Sequence, residues 1–147
     1  MGMFSALEVS GSALSAERQR AEVVASNMAN AETTRTAAGG PFHRKEVVFS
    51  SSGASAFRML LAGFNRLSGR APGAVRVVKV VDDPTPPVMR YEPGHPDANK
   101  DGYVAYPAIN PIQEMVDLMD ATRAYQLNAS AVTASKQMLQ QSLEILK

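Results

Sequence analysis

Apolar residues recur along this chain in three rhythms. From Met3 to about Asn30 there is no proline and one interior glycine, Gly11. Steps of four and three from Leu7 pick out Leu7, Gly11, Leu14, Arg18, Ala21, Ala25 and Met28. That spacing predicts one long helix with a partly apolar seam of small residues, narrow for a lone helix and open to close approach by another. A second long helix is predicted from Pro111, which suits a first helical position and is followed by no further Pro or Gly. Its seam reads Met115, Leu118, Thr122, Tyr125, Ala129, Val132, Lys136, Leu139, Leu143 and Leu146, with Lys136 the one charge. A 3.5-residue repeat kept to the last turn predicts a left-handed coiled coil. Glu114, Asp117 and Asp120 crowd the first turns, as the helix dipole favours.

Between the helices the rhythm shortens. KEVVF (Lys45 to Phe49), AVRVVKVV (Ala74 to Val81), VMRY (Val88 to Tyr91) and GYVAY (Gly102 to Tyr106) are β-branched or aromatic runs bounded by turn residues. In the second run the apolar residues crowd, which predicts a strand covered on both faces. DDPTPP, Asp82 to Pro87, reads as an extended connector. Ser50 to Gly73 is open between a variable loop and a short amphipathic helix over Phe57 to Leu67. The predicted fold class is therefore α+β: two long terminal helices with heptad character pairing into a coiled coil and enclosing a small β-rich middle domain. The divisions are an N-terminal assembly helix at 1–30, the β-rich middle at 31–110 and a C-terminal coiled-coil helix at 111–147. At 1.5 Å per residue the last helix is roughly 50 Å long, too long for the middle to cover, so its uncovered seam predicts assembly.

Composition narrows the function classes. An apolar fraction of 45%, 20% charged residues and a net charge of +1 over 147 residues describe an ordinary soluble protein. They give no electrostatic case for nucleic acid or an anionic membrane. Arg58, Arg66, Arg70, Arg76 and Lys79 form a local basic run read as solvated surface. Without cysteine there is no disulfide, no Cys-ligated zinc and no thiol nucleophile. MGMFSALEVS lacks the features of a cleaved secretory signal, so an exported chain would need another route. No apolar burst approaches the roughly 20 residues of a membrane helix, and direct membrane insertion is not expected. His43 and His95, the two histidines, sit beside prolines with no catalytic spacing around them, so neither enzyme nor cofactor is expected.

One stretch does suggest a metal. In GHPDANKDGY, Asp97, Asn99 and Asp101 alternate and Gly102 follows, the opening of a calcium loop. The bidentate Glu due at position twelve falls on Ala108, however, with Pro107 before it. The better account is a polar turn with side chains bonded to their own backbone and Gly102 released to positive φ. A calcium-binding module using Asp97, Asn99, Asp101 and Gly102 stands as the alternative function.

LSAERQRAEVVASNMANAETTR, Leu14 to Arg35, resembles the N-terminal signature of the axial proteins of the bacterial flagellum, with its Asn-x-x-Asn-Ala-x-Thr core at Asn27, Asn30, Ala31 and Thr33. EMVDLMDATRAYQLNASAV, Glu114 to Val132, is similar to the matching C-terminal signature. YEPGHPDANKDGYVAYP and TTRTAAGGPFHRKEVVF resemble the proximal-rod branch, with the turn residues His95, Pro96, Asp97, Asp101, Gly102 and Tyr103 as subtype markers. Ser50 to Gly73 departs from the family, and Ala108 stands where members commonly have Asn.

The resemblance implies a non-enzymatic rod subunit of the basal body, in the periplasmic space, exported by the flagellar type III apparatus without a cleaved signal. Its implied partners are copies of itself, other rod proteins, the export apparatus and the inner-membrane ring or its adaptor. The expected assembly interface is Leu7, Leu14, Asn27, Asn30, Thr33, Glu114, Met115, Leu118, Arg123, Tyr125, Val132 and Leu139. Asn27 and Asn30 read either as amides fixing register against a neighbour or as caps at the helix end. Tyr125 is expected to be buried in the seam, with Arg123 reaching a nearby carboxylate.

Overall fold

The computed structural model describes residues 3–51 and 73–145. The element order is α1 (Met3–Ala29), β1 (Lys45–Ser51), β2 (Val75–Asp82), β3 (Val88–Tyr91), β4 (Tyr103–Tyr106) and α2 (Pro111–Ile145). Long terminal helices around a β-rich middle are thus observed. The proposed loop or helix within 50–73 lies, from 52 to 72, outside the described residues, as do Arg58, Arg66, Arg70 and Leu146.

Local chemistry sets the helix ends. At the start of α2 the Asn110 side chain accepts the Ile112 N–H at 3.0 Å, an N-cap directly before Pro111. At the end of α1 the Asn30 amide donates to the Ser26 carbonyl at 2.8 Å, and the Asn30 and Ala31 N–H groups donate to the Ser26, Asn27 and Met28 carbonyls. The orphan carbonyls of the last turn are satisfied this way. The chain then turns through Thr36 and Gly40 into β1, with Gly39 and Gly40 at positive φ.

The strands make two separate ribbons. β1 pairs with β2, and β3 pairs antiparallel with β4, opposing Val88 to Tyr106, Met89 to Ala105, Arg90 to Val104 and Tyr91 to Tyr103. β2 is not covered on both faces as its sequence predicts: Val78 and Val80 are exposed. Crowded β-branched residues mark a doubly buried strand when layers lie on both sides of a sheet. This one is a two-stranded ribbon.

The described residues fall into two compact units. One takes α1 up to Gln19, the residues of β1 and β2 from Phe49 to Val78, and α2 from Ala121 onward; the other takes Arg20–Val48 with Lys79–Asp120. Among the described residues, the buried side chains of the first unit are Ala16, Ala74, Ala121 and Ser135. Ser12 links α1 to β2 there, its Oγ accepting the Val75 N–H at 3.0 Å and donating to the Val9 carbonyl. In the second unit the buried side chains are Val24, Asn27, Val104, Pro107 and Glu114.

Burial follows the heptads in part. Along α2 the covered positions are Glu114, Asp117, Leu118, Ala121, Ala124, Asn128, Ala129, Val132, Ser135 and Leu139, while Met115, Thr122, Tyr125, Lys136 and Leu143 are exposed. Along α1, Ala16, Val24 and Asn27 are buried and the seam residues Gly11, Arg18 and Ala25 are exposed. On α1 the seam residues Leu7, Leu14, Ala21 and Met28 are half-buried, as are Leu118, Ala129, Val132 and Leu139 on α2. The covered stripe of α2 mixes short side chains with Glu114, Leu118, Val132 and Leu139, and Met115, Met119, Leu127 and Met138 lie outside it.

Ala121 has no exposed surface, so a larger side chain there must displace its neighbours. Ala121→Leu should destabilise the folded chain by roughly 1–3 kcal/mol through overpacking. Chemical denaturation with an unchanged m-value checks it, and Leu127→Ala, at an exposed position, should cost far less.

Candidate functional site

The most closely bonded polar cluster lies where the end of α1, the start of β1 and the first turn of α2 meet in the second unit. Asn27 has no exposed surface, and all its amide atoms are engaged. Its Oδ1 accepts the Lys45 N–H at 2.9 Å while its Nδ2 donates to the Lys45 carbonyl at 2.9 Å and to Glu114 Oε2 at 3.1 Å. The two bonds to Lys45 reproduce with a side chain what a neighbouring strand does with its backbone. Asn27 thus closes the chain on itself, whereas Asn30 caps α1 and accepts the Thr33 hydroxyl at 3.1 Å.

Glu114 is 1% exposed, a burial that a carboxylate bears only when paired. Arg44 Nε donates to its Oε1 at 2.6 Å, and the helix N-terminus adds a favourable dipole. Arg44 also pairs with Glu46, reaches Asp117 Oδ2 at 3.6 Å and Asp83 Oδ2 at 4.0 Å, and its carbonyl accepts the Asp83 N–H. Arg20 lies 3.8 Å from Asp117 on the same side. Burial works against the Arg44 charge, but hydrogen bonds and attraction from Glu114 and then Glu46 outweigh it and raise its pKa further above the ordinary arginine value. Asp83 is held below the usual carboxylate range, chiefly because the Thr85 hydroxyl and N–H both donate to its Oδ1.

A second cluster joins the loop after α1 to the turn before β4. Thr34 Oγ1 donates to Asp97 Oδ2 at 2.8 Å, and Arg35 lies 3.7 Å from Asp97 Oδ1. Asn99 Oδ1 accepts the Asp101 and Tyr103 N–H groups, both at 2.9 Å, and the Asn99 N–H returns to the Tyr103 carbonyl. His95 Nδ1 accepts the Asp97 N–H, and Tyr106 donates to Glu92 at 2.9 Å, which raises the phenol's pKa. Asp97 and Asn99 are therefore engaged by the chain's own donors. No three metal-ligating side chains gather among the described residues.

The residues expected at an interface separate into three groups. Asn27 and Glu114 are inside the chain; Leu7, Leu14, Asn30, Thr33, Leu118, Val132 and Leu139 are half-buried; Met115, Arg123 and Tyr125 are exposed. Tyr125 is thus not buried in a seam within the chain. In the turn, His95 and Asp97 are half-buried and Pro96, Asp101 and Tyr103 are exposed. Sequence reasoning missed Arg44, Thr34, Arg35 and Asp83. Glu114 lies just outside the seam read from the sequence, so nothing in the local pattern signalled its burial or the cation, Arg44, that this burial requires.

Two predictions follow from these clusters. Arg44→Met strands a buried carboxylate and should cost about 3–5 kcal/mol, while Asn27→Ala, which removes three bonds around Lys45 and Glu114, should cost roughly 2–4 kcal/mol. Urea denaturation measures both, and the two substitutions should be less than additive because Glu114 bridges the sites. In the turn, Gly102 has φ of +82°, and an added Cβ would lie 2.8 Å from Tyr91 Cε2 and 3.3 Å from Pro93 Cβ. The exposed Tyr91 ring can swing aside, but the backbone cannot. Gly102→Ala should lower stability by about 1–2 kcal/mol, a fall of several degrees in Tm.

Comparison with known proteins agrees with both ends of this geometry. Residues 7–35 match the family described as flagella basal body rod protein, and residues 100–145 match the one described as flagellar basal body rod FlgEFG protein C-terminal. The chain is 43% identical to the flagellar basal-body rod protein FlgC of Bacillus subtilis (strain 168), with 100% of each chain covered. It is 35% identical to that of Borreliella burgdorferi, covering 100% of this chain and 99% of the relative. For that of Escherichia coli O157:H7 the identity is 35%, over 99% and 98%. With both terminal signatures in order and identity from end to end, the chain belongs to the FlgC family of flagellar basal-body rod proteins.

Proposed function

We propose that this protein is a structural subunit of the proximal flagellar rod, assembling helically with copies of itself and with other rod proteins into the drive shaft. In that shaft it transmits motor torque and forms part of the wall of the export channel. The family carries the rod assignment, and one structural observation supports assembly through α2. Ile112, Met115, Val116 and Met119, spaced as one face of a helix, are 74%, 54%, 41% and 52% exposed. Further along α2, Leu127, Met138 and Leu143 are exposed as well.

Apolar surface of this kind is a driving force held in reserve. Covering one such side chain contributes roughly 1.5–3 kcal/mol, less the entropy of ordering it, so many contacts in parallel make a stiff joint. Torque along a shaft is then shared among interhelical contacts. The same reading makes the export apparatus and the inner-membrane ring or its adaptor the further partners, and the periplasmic part of the basal body the location. No described helix is long and apolar enough to cross a membrane.

The test separates assembly from folding. Met115→Asp combined with Met119→Asp should leave the melting temperature of the isolated chain within about 3 °C, since both side chains are exposed. Produced in a strain lacking its own copy of the protein, the same variant should fail to restore swimming in soft agar or rods in purified basal bodies. Wild-type swimming by that variant would remove α2's exposed face from the interface.

A further inference from the structure

Asn27 completes its hydrogen bonds only when two distant segments are both in place. Its bonds to Lys45 span 18 residues, and its bond to Glu114 spans 87. Glu114 in turn holds Arg44, the residue before Lys45, across 70 residues. We infer that Asn27 and Glu114 form a conformational latch that makes the ordering of the β1 start against the end of α1 conditional on the arrival of α2.

Without Glu114, one Nδ2 hydrogen of a side chain with no exposed surface has lost its acceptor, and Arg44 Nε has lost its own. A buried donor left unpaired bears its full desolvation cost, so the Asn27 to Lys45 pair is weakened although neither residue has changed. The start of β1 is therefore gripped from two sides by one carboxylate: directly at Arg44, and through Asn27 at Lys45. A chain made from its N-terminus holds residues 27 to 45 long before residue 114 exists. Over that interval the N-terminal signature stays unlatched, which keeps a partial chain from setting its helix end and first strand before its partner helix is complete. The latch goes beyond the rod reading and holds whether or not the chain assembles.

The Lys45 amide proton reports on the latch because Asn27 Oδ1 accepts it. Hydrogen exchange on the full-length chain, followed residue by residue by NMR, compares it with the Asn99 and Gly102 amides. Those two close the turn before β4 in the same unit and do not touch Glu114. Glu114→Ala should speed exchange at Lys45 about tenfold or more while Asn99 and Gly102 stay within about twofold. Should Glu114→Ala fail to fold, Glu114→Asp keeps the charge for Arg44 but draws the oxygen back from Asn27, and it should give the same local acceleration. Unchanged exchange at Lys45 overturns the latch. Equal acceleration at Lys45, Asn99 and Gly102 also overturns it, because Glu114 then supports only the stability of the whole unit.

Discussion

A carboxylate buried to 1% exposure inside a helix start fixes much of the surrounding structure. Glu114 cannot be taken from water unless each oxygen meets a donor, and the donors present are Arg44 Nε and Asn27 Nδ2. That requirement brings three segments to one point. Once Arg44 is drawn there, Glu46, Asp83 and Asp117 can share its charge, and the residue beside it, Lys45, is placed for Asn27. A buried pair of this kind is a weak source of net stability, because desolvation offsets much of the attraction. Its strength is in discrimination: a helix set one residue out of register leaves the charge unanswered. The centre fixes which turn of α2 meets which turn of α1, where an apolar contact would tolerate slippage.

Packing elsewhere has the complementary character. Among the described residues, the buried side chains of the first unit are Ala16, Ala74, Ala121 and Ser135, and the covered stripe of α2 includes Glu114, Leu118, Ala121, Ala124, Asn128, Ala129, Val132, Ser135 and Leu139. Ile112, Met115, Met119 and Leu127 lie outside. An exposed apolar stripe of this length is uncommon on a soluble domain. The cover along α2 follows the heptads in part. Leu118, Ala129, Val132 and Leu139 are shared by the heptad and the covered stripe, but Met115 and Tyr125 belong to the outer face. A hydrophobic period reports that a helix face avoids water; it does not report whether the cover comes from the same chain.

Other features were legible to different depths for definable reasons. The four described strands and two described helices follow from local pattern, because turn residues and prolines bracket each run: β3 falls on VMRY, and α2 starts at Pro111 behind the Asn110 cap. Covering of β2 on both faces was misread from AVRVVKVV, because crowding of Val records β propensity and here only two strands pair. Asn27 and Asn30 look equivalent in sequence, three positions apart in one motif. Their roles differ because Asn30 lies beyond the last turn of α1, where its own carbonyls need donors, and Asn27 faces β1. Arg44 was illegible for a plainer reason: its principal partner is 70 residues away.

The apparent calcium loop shows how the turn before β4 is joined to the end of the N-terminal signature. Asp97 opens the metal-like pattern, yet its oxygens face Thr34 and Arg35, the residues directly after the signature core that ends at Thr33. Asn99 serves the backbone of Asp101 and Tyr103, and Gly102 supplies the positive φ that turns the chain into β4. Two residues after β4 ends, the chain reaches Ala108, and Asn110 then caps α2, whose first turn carries Glu114. One continuous run from Asp97 to Glu114 thus begins bonded to the loop after α1 and ends bonded to the last turns of α1 itself. Both attachments lie on the N-terminal signature. The run that leads into α2 is thus held at both of its ends, by Thr34 and Arg35 at Asp97 and by Asn27 at Glu114.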